Sequence, residues 1–370
     1  MKKIILIMIL ALIIFLSGCF NYNDINKVIF VTAIGIDIDE KNRPIVYAEV
    51  FLTNRNITKD KGTEEKTIFK GTGDTIFEAI RNINLGTSYK LNYSQNKAII
   101  FSKRAAEYGL DNFIDTLDRD QEFLMRQYMF VTSDDLMDVL NTKVVEENFV
   151  GIFLTDLILN YQIQSKGSKL RFDEYLVNRQ MESSVDLINF LEKTKHTPND
   201  RLTIKGLAVI QNDKLVGELN PKEAKYYNLF MGTLKVGDIS IPHPEYEDKF
   251  ITLEVVKSKT RLKVSGEGES INIIKTINTR VSLTDAQEGI RISNREERET
   301  IEKYAEEEIR EGCRKLYEKY YAKDIDIYNL KREISIRYPK KDLTDILYNV
   351  NLYIDVNVNL EGSSDVTDFY

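Results

Sequence analysis

Six apolar residues at every second position, Val350, Leu352, Ile354, Val356, Val358 and Leu360, restrict the stretch NVNLYIDVNVNLE more tightly than any other segment of the chain. Side chains of a strand alternate between faces, so a period of two sustained this long predicts a strand with one face on a core and one in water. Such a sheet must be closed on its dry side by helices or a second sheet. A covering element is legible between Asn294 and Tyr321, where Ile301, Ala305, Ile309, Leu316 and Tyr320 recur at helical spacing, with Gly312 and Cys313 on the same side. The opposite side offers the i,i+4 pairs Glu299–Lys303, Glu306–Arg310 and Glu311–Lys315, each contributing about 0.3 kcal/mol. The pattern is that of a helix lying on a sheet with a solvated outer face.

The remaining elements follow from the same periodicities. Val28–Asp37 and Ile45–Leu52 read as strands joined by the turn KNRP, and NRNITKDKGTEEK as an exposed loop. TIFKG leads to a helix carrying Ile76, Ala79, Ile80 and Ile83, opened by a capping box of Thr75 with Glu78. A strand at Lys97–Phe101 precedes a helix that stops at Gly109; QYMFVTS is a further strand, with Ser133 as the cap of the helix DDLMDVLN. From Asn148 to Glu192 the pattern is mainly helical, and the polar TKHTPNDR marks a boundary. KGLAVIQ and KLVGEL form a hairpin about Asn212-Asp213, Pro221 starts a helix through Met231, and strands recur between Phe250 and Leu283. Strands and helices mix without a regular βαβ repeat. The expected class is therefore α+β, in two to three mixed α/β domains whose largely antiparallel or mixed sheets are packed by helices. A chain of 370 residues also exceeds what one core usually supports. The expected units are 1–18, 19–200 and 201–370, with a further division of the last near 265–290.

The N-terminus sets the location. Lys2 and Lys3 precede an unbroken apolar run from Ile4 to Leu16. As a helix this run is about 20 Å long, short of a hydrocarbon core of about 30 Å but suited to the h-region of an export signal. Leu16-Ser17-Gly18-Cys19 resembles the bacterial lipobox, with cleavage between Gly18 and Cys19 and lipid on the Cys19 sulfur and amino group. Two acyl chains hold a protein stably at a membrane. Nothing downstream reaches a span of continuous apolar residues. Without Lys2 and Lys3 the balance is 49 basic against 58 acidic side chains, near −9, which disfavours nucleic acid and anionic lipid. Membrane residence is thus expected from the lipid or from partner proteins, not from a basic patch.

Catalytic constellations are missing from the sequence. His196 and His243 both lie beside prolines in polar loops and are expected to be exposed, and neither joins a cluster with zinc-like spacing. No nucleophile elbow or Walker loop occurs. Gly71-Thr72-Gly73 reads as a tight turn and not a dinucleotide loop, because Ile76 stands where the third glycine would be. Asp37-Ile38-Asp39 fails as a calcium loop, since Asn42 and Ala48 occupy the required Gly and Glu positions. Arg119, Asp120, Glu122 and Arg126 form the densest charge cluster beside apolar residues, either an ion-pair patch or a partner-docking patch. Cys313 reads as a small buried residue. No metal and no cofactor are expected beyond the lipid covalently held by Cys19.

Several motifs in order resemble one family, the Ger(x)C lipoproteins of spore-forming bacteria. Cys19-Phe20, NYNDIN and a strand ending in IGID (Ile34–Asp37) fit its start, with Phe20 where the family usually has tryptophan. Gly73, Thr75, Ile76, Glu78, Ala79 and Ile80 fit its G-x-T-I-x-E-A-I helix start, and Arg119, Asp120, Glu122 and Arg126 its Arg-Asp-x-Glu-x-x-x-Arg pattern. GLAVIQNDKLVGEL fits its second half. The resemblance implies the C subunit of a nutrient germinant receptor. Such a subunit is non-enzymatic, lies on the outer face of the inner spore membrane, and works with the integral-membrane A and B subunits. The competing reading is a substrate-binding lipoprotein of a nutrient transporter, whose two doubly wound lobes the mixed pattern here does not match.

Overall fold

The computed structural model describes residues 27–52, 65–119, 122–160, 165–181, 184–195, 200–266, 270–291, 294–361 and 368–369. The first sheet grows from β1 (Val28–Ile38), whose Ile29, Val31, Ile34, Ile36 and Ile38 pack into one core and whose Ala33 packs into another. The chain turns at Asn42, whose φ of 61° is left-handed, into antiparallel β2 (Pro44–Leu52), and β3 (Glu65–Thr72) pairs on β2. Next come α1 (Ile76–Leu85), β4 (Lys90–Asn92), β5 (Ala98–Ser102), α2 (Lys103–Tyr108), α3 (Asp111–Arg119) and β6 (Tyr128–Thr132). They are followed by α4 (Leu136–Leu140), α5 (Val150–Leu159), α6 (Phe172–Asn178), β7 (Val185–Thr194), β8 (Arg201–Gln211) and β9 (Lys214–Leu219). The strand order is β3-β2-β1-β5-β6-β7-β8-β9, with β4 beside the start of β1. β1, β5, β6 and β7 run parallel in the middle, and antiparallel strands flank them.

Both faces of this sheet are buried. On one, Ile34, Ile36, Ile99, Phe101 and Val131 meet α1, α2, α3 and α6; on the other, Ala33, Ala98, Ile100 and Phe130 meet α4 and α5. Double burial explains why 148–192 reads as mainly helical, while Val185–Thr194 is a strand. Leu187, Ile188, Phe190 and Leu191 serve opposite faces, which erases the period of two and leaves an apolar run that periodicity cannot assign.

The second half contains α7 (Pro221–Met231), β10 (Asp238–Pro242), β11 (Phe250–Ser265), β12 (Ile271–Ala286), β13 (Ile290–Arg291), α8 (Arg295–Tyr321), α9 (Leu330–Arg337), β14 (Val350–Glu361) and β15 (Asp368–Phe369). Its sheet, β10-β11-β12-β14, is antiparallel except for the parallel pair β12–β14. α7, α8 and α9 cover one face with Leu229, Phe230, Ile301, Ile309, Cys313 and Ile334; the other face is open. The α+β class is thereby observed.

The β7–β9 region joins the halves. Val185, Leu187, Leu207, Val209 and Leu219 pack into the core of the second half, while Ile188, Phe190, Ala208 and Ile210 pack into that of the first. The hairpin β7–β8 crosses position 200, so the first sheet continues past the polar stretch that marks a boundary in the sequence.

Local signals hold with instructive exceptions. Thr75 accepts from Glu78 N at 3.2 Å, but the Glu78 carboxylate returns to Asp74 N at 2.8 Å and not to the cap residue. The cap of α4 is Asp135, not Ser133: Asp135 accepts from Asp138 N at 3.0 Å, while Asp134 is committed to Lys193 N of β7. On α8, of the three expected pairs only Glu311–Lys315 forms, at 4.0 Å; Glu299 pairs with Arg295, and Glu306 turns to the backbone of β14. Most of the polar loop 54–66 lies outside the described residues, although its last two residues open β3.

Candidate functional site

Gly18, Cys19 and Asp120 lie outside the described residues, as does His196. Arg119 ends α3 and Arg126 lies just before β6, both exposed. Glu122 accepts from Lys90 Nζ at 2.6 Å. Beside it Phe123 is buried against Tyr93, ring centroids 4.7 Å apart. Among the described residues no ion pair joins Arg119, Glu122 and Arg126 to one another; the contact seen ties this segment to β4.

His243 is buried, contrary to its expected exposure. Its backbone closes a turn onto Lys249 O at 2.8 Å, its Nδ1 accepts from Glu245 N at 3.2 Å, and its ring stands edge-on to Tyr246. Pro242 and Pro244 flank it, and the turn between β10 and β11 folds the ring inward. Among the described residues no group of three or more His, Cys, Asp or Glu could hold a metal ion.

Two carboxylates whose partners lie in distant elements organise the first sheet. Glu49, alone in the apolar IVYAEVFL, is fully buried and accepts from Val150 N at 2.7 Å, Gly151 N at 3.0 Å and Thr32 Oγ1 at 2.7 Å. It thus satisfies the orphan donors at the start of α5. Burial pushes its carboxyl above the usual range and the Lys66 ammonium 3.7 Å away below its own, so desolvation outweighs their attraction. Asp37, next to last in β1, accepts from Arg104 Nε at 2.6 Å and from Ser102 Oγ at 2.5 Å. Burial opposes its ionisation, but these hydrogen bonds hold it below the ordinary value. Both aspartates of DID are therefore structural ties: Asp39 likewise folds back on Arg43.

Two adjoining cavities lie at the seam between the halves. A groove of about 530 Å³ and a neighbouring cavity of about 300 Å³ share Asn178, Val185, Asp186, Asn329 and Arg332. Asn329 clamps Val185 by accepting from its N at 2.9 Å and donating to its O at 2.8 Å. Asp186 accepts from Asn178 Nδ2 at 2.7 Å and is 7% exposed; burial, reinforced by the nearby Asp213, pushes its carboxyl up to about 6. Asp213 itself is held by Arg179 and by the Tyr175 hydroxyl at 2.5 Å. The signal for Asp186 was an acid inside an apolar stretch, VDLINF; the seam that buries it has no local signature.

Cys313 is fully buried on α8, and burial pushes its thiol up to about 12, which leaves it inert toward nucleophilic chemistry. Among the described residues no helix is long and apolar enough to cross a membrane.

Residues 21–188 match the family described as spore germination protein N-terminal domain, and residues 205–364 match spore germination B3/GerAC like, C-terminal. The chain is 22% identical to spore germination protein GerQC of Bacillus cereus over 335 residues, covering 90% of this chain and 89% of that protein. It is 24% identical to spore germination protein A3 of Bacillus subtilis over 289 residues, covering 77% and 74%. The crystal structure of the GerBC protein aligns with a TM-score of 0.56 at 16% identity, covering 88% of this chain and 96% of that one, a likeness of fold.

Proposed function

The chain belongs to the Ger(x)C family of spore germination proteins, and we propose that it is the lipid-anchored, non-enzymatic C subunit of a germinant receptor, required for nutrient-triggered germination. The observation that carries this reading is the succession of both family domains, 21–188 and 205–364, directly behind the Leu16-Ser17-Gly18-Cys19 motif. Cys19 is the residue assigned to the membrane: two chains on it replace a spanning helix energetically. The partners are the integral-membrane A and B subunits, at the outer face of the inner spore membrane, and Arg119, Asp120, Glu122 and Arg126 are the docking candidates. The non-enzymatic assignment is supported by Glu49 and Asp37, whose oxygens are occupied by helix donors and by Arg104. The family does not favour the transporter-lipoprotein alternative.

The test is genetic and biochemical. Spores lacking the gene are expected to fail on at least one nutrient while germinating normally with a nutrient-independent trigger. Normal germination on every nutrient, in a background without other receptors, would count against the role. Cys19→Ala is expected to move the protein out of the membrane fraction; unchanged fractionation would remove the anchor.

A further inference from the structure

The chain carries a net charge of −7, yet the open face of its second sheet is basic. Strand register sets Lys257, Lys259, Arg261 and Lys263 of β11 on one face, opposite Arg280, Asn278, Thr276 and Ile274 of β12. All four β11 residues are exposed. Same-face residues of a strand are about 7 Å apart, so the charges form a column about 20 Å long. No ion pair among the described residues neutralises them, whereas Arg280, directly across from Lys257, is held by Glu361 at 2.6 Å. Like charges stacked along and across strands destabilise a sheet unless something anionic covers them.

We propose that this face rests on the anionic headgroup surface of the bilayer to which the chain is tethered. The proposal builds on the anchor reading above, and its chemistry is its own. Three of the four side chains are lysines, hydrated point charges on flexible stems that suit a diffuse anionic surface better than a shaped partner. Protein interfaces are depleted in lysine and centred on buried anchors; the rows beside these lysines hold Thr276, Asn278, Asn357 and Asn359, and one acid, Asp355, two strands from Arg261. At the Lys263 end the register brings Ile274 and Tyr353 together, the latter 53% exposed. A tyrosine there sits naturally at headgroup level. The tether supports contact: from Cys19 to Lys27 the chain reaches at most about 28 Å, which keeps the body at high effective concentration near the surface. A competing role exists, because β10 pairs β11 only from Phe250 to Glu254 and lysines deter strand addition at an open edge. That role accepts charge of either sign, whereas attraction to lipid needs positive charge.

The lipidated full chain would be reconstituted in vesicles of phosphatidylcholine alone or mixed with phosphatidylglycerol, then treated briefly with an amine-acylating reagent and read by mass spectrometry. Lys257, Lys259 and Lys263 are expected to react at least about fivefold more slowly on the anionic vesicles, matching roughly 1 kcal/mol per basic residue near such a surface. Exposed Lys41 is expected to be unaffected, and high salt to abolish the protection. Arg261→Glu keeps the edge charged and all three lysines readable; it is expected to cut their protection at least about twofold. Equal reactivity on both vesicles, or protection only once other proteins are added, overturns the proposal. Failure of the anchor shows separately, as unchanged fractionation of Cys19→Ala.

Discussion

Asp186 shows how one side chain can carry a pH dependence for the whole fold. Its carboxyl is pushed from an ordinary value of 3.8 to about 6, so the folded state favours its neutral form. Stability from this group is fully present below about pH 3.8 and is lost as pH rises through about 6, at most about 3 kcal/mol in all. Asp186→Asn keeps an acceptor for Asn178 and removes the charge. The variant is expected to be about 1–3 kcal/mol more stable than wild type in urea at pH 7.5, with the gain shrinking towards zero at pH 4.5. An equal difference at both pH values would show that Asp186 is not the titrating group. Asp186, Glu49 and Asp37 were all visible as acids among apolar residues; their partners, from Asn178 to Val150 N, were not, because these lie in other elements.

At the scale of elements, α8 is the clearest case of pattern turned into structure. Asn294 caps it by accepting from Glu296 N at 3.0 Å, and its buried face is Ile301, Ala305, Ile309, Cys313, Leu316 and Tyr320. Its outer face is only partly solvated. Glu302 and Glu306 accept from Leu360 N at 2.7 Å and Val358 N at 3.1 Å, capping part of the free edge of β14. Gly312 is where α7 meets this helix: a Cβ there would lie 2.5 Å from the Tyr226 ring. That ring cannot swing away freely, since its hydroxyl donates to Glu308 at 2.5 Å. Gly→Ala inside a helix ordinarily stabilises by about 1 kcal/mol. Here Gly312→Ala is expected to destabilise by about 1–3 kcal/mol through overpacking, measured as a lower urea midpoint at unchanged m. A raised midpoint would mean that α7 and α8 do not pack as described.

On the scale of the molecule, the two halves share a wall. β7 and β8 contribute Val185, Leu187, Leu207 and Val209 to one core and Ile188, Phe190, Ala208 and Ile210 to the other. Unfolding either half would expose apolar surface of the same strands. Far-ultraviolet dichroism and tyrosine fluorescence are therefore expected to give superimposable urea curves with one transition; two separated transitions would show that the shared hairpin does not couple the cores. Local pattern alone was enough for the elements whose environment is uniform along their length: the one-sided strand β14, the helix α8 and the Asn212-Asp213 hairpin. Each is written in nearest-neighbour spacing, which needs no knowledge of distant residues. Only the tertiary structure decided that β7 is a strand, that His243 is buried, that Glu306 serves β14, and that lysines of β11 share a face with β12 and β14. Those outcomes depend on pairings between residues tens of positions apart, where register and burial arise from what the rest of the chain brings alongside.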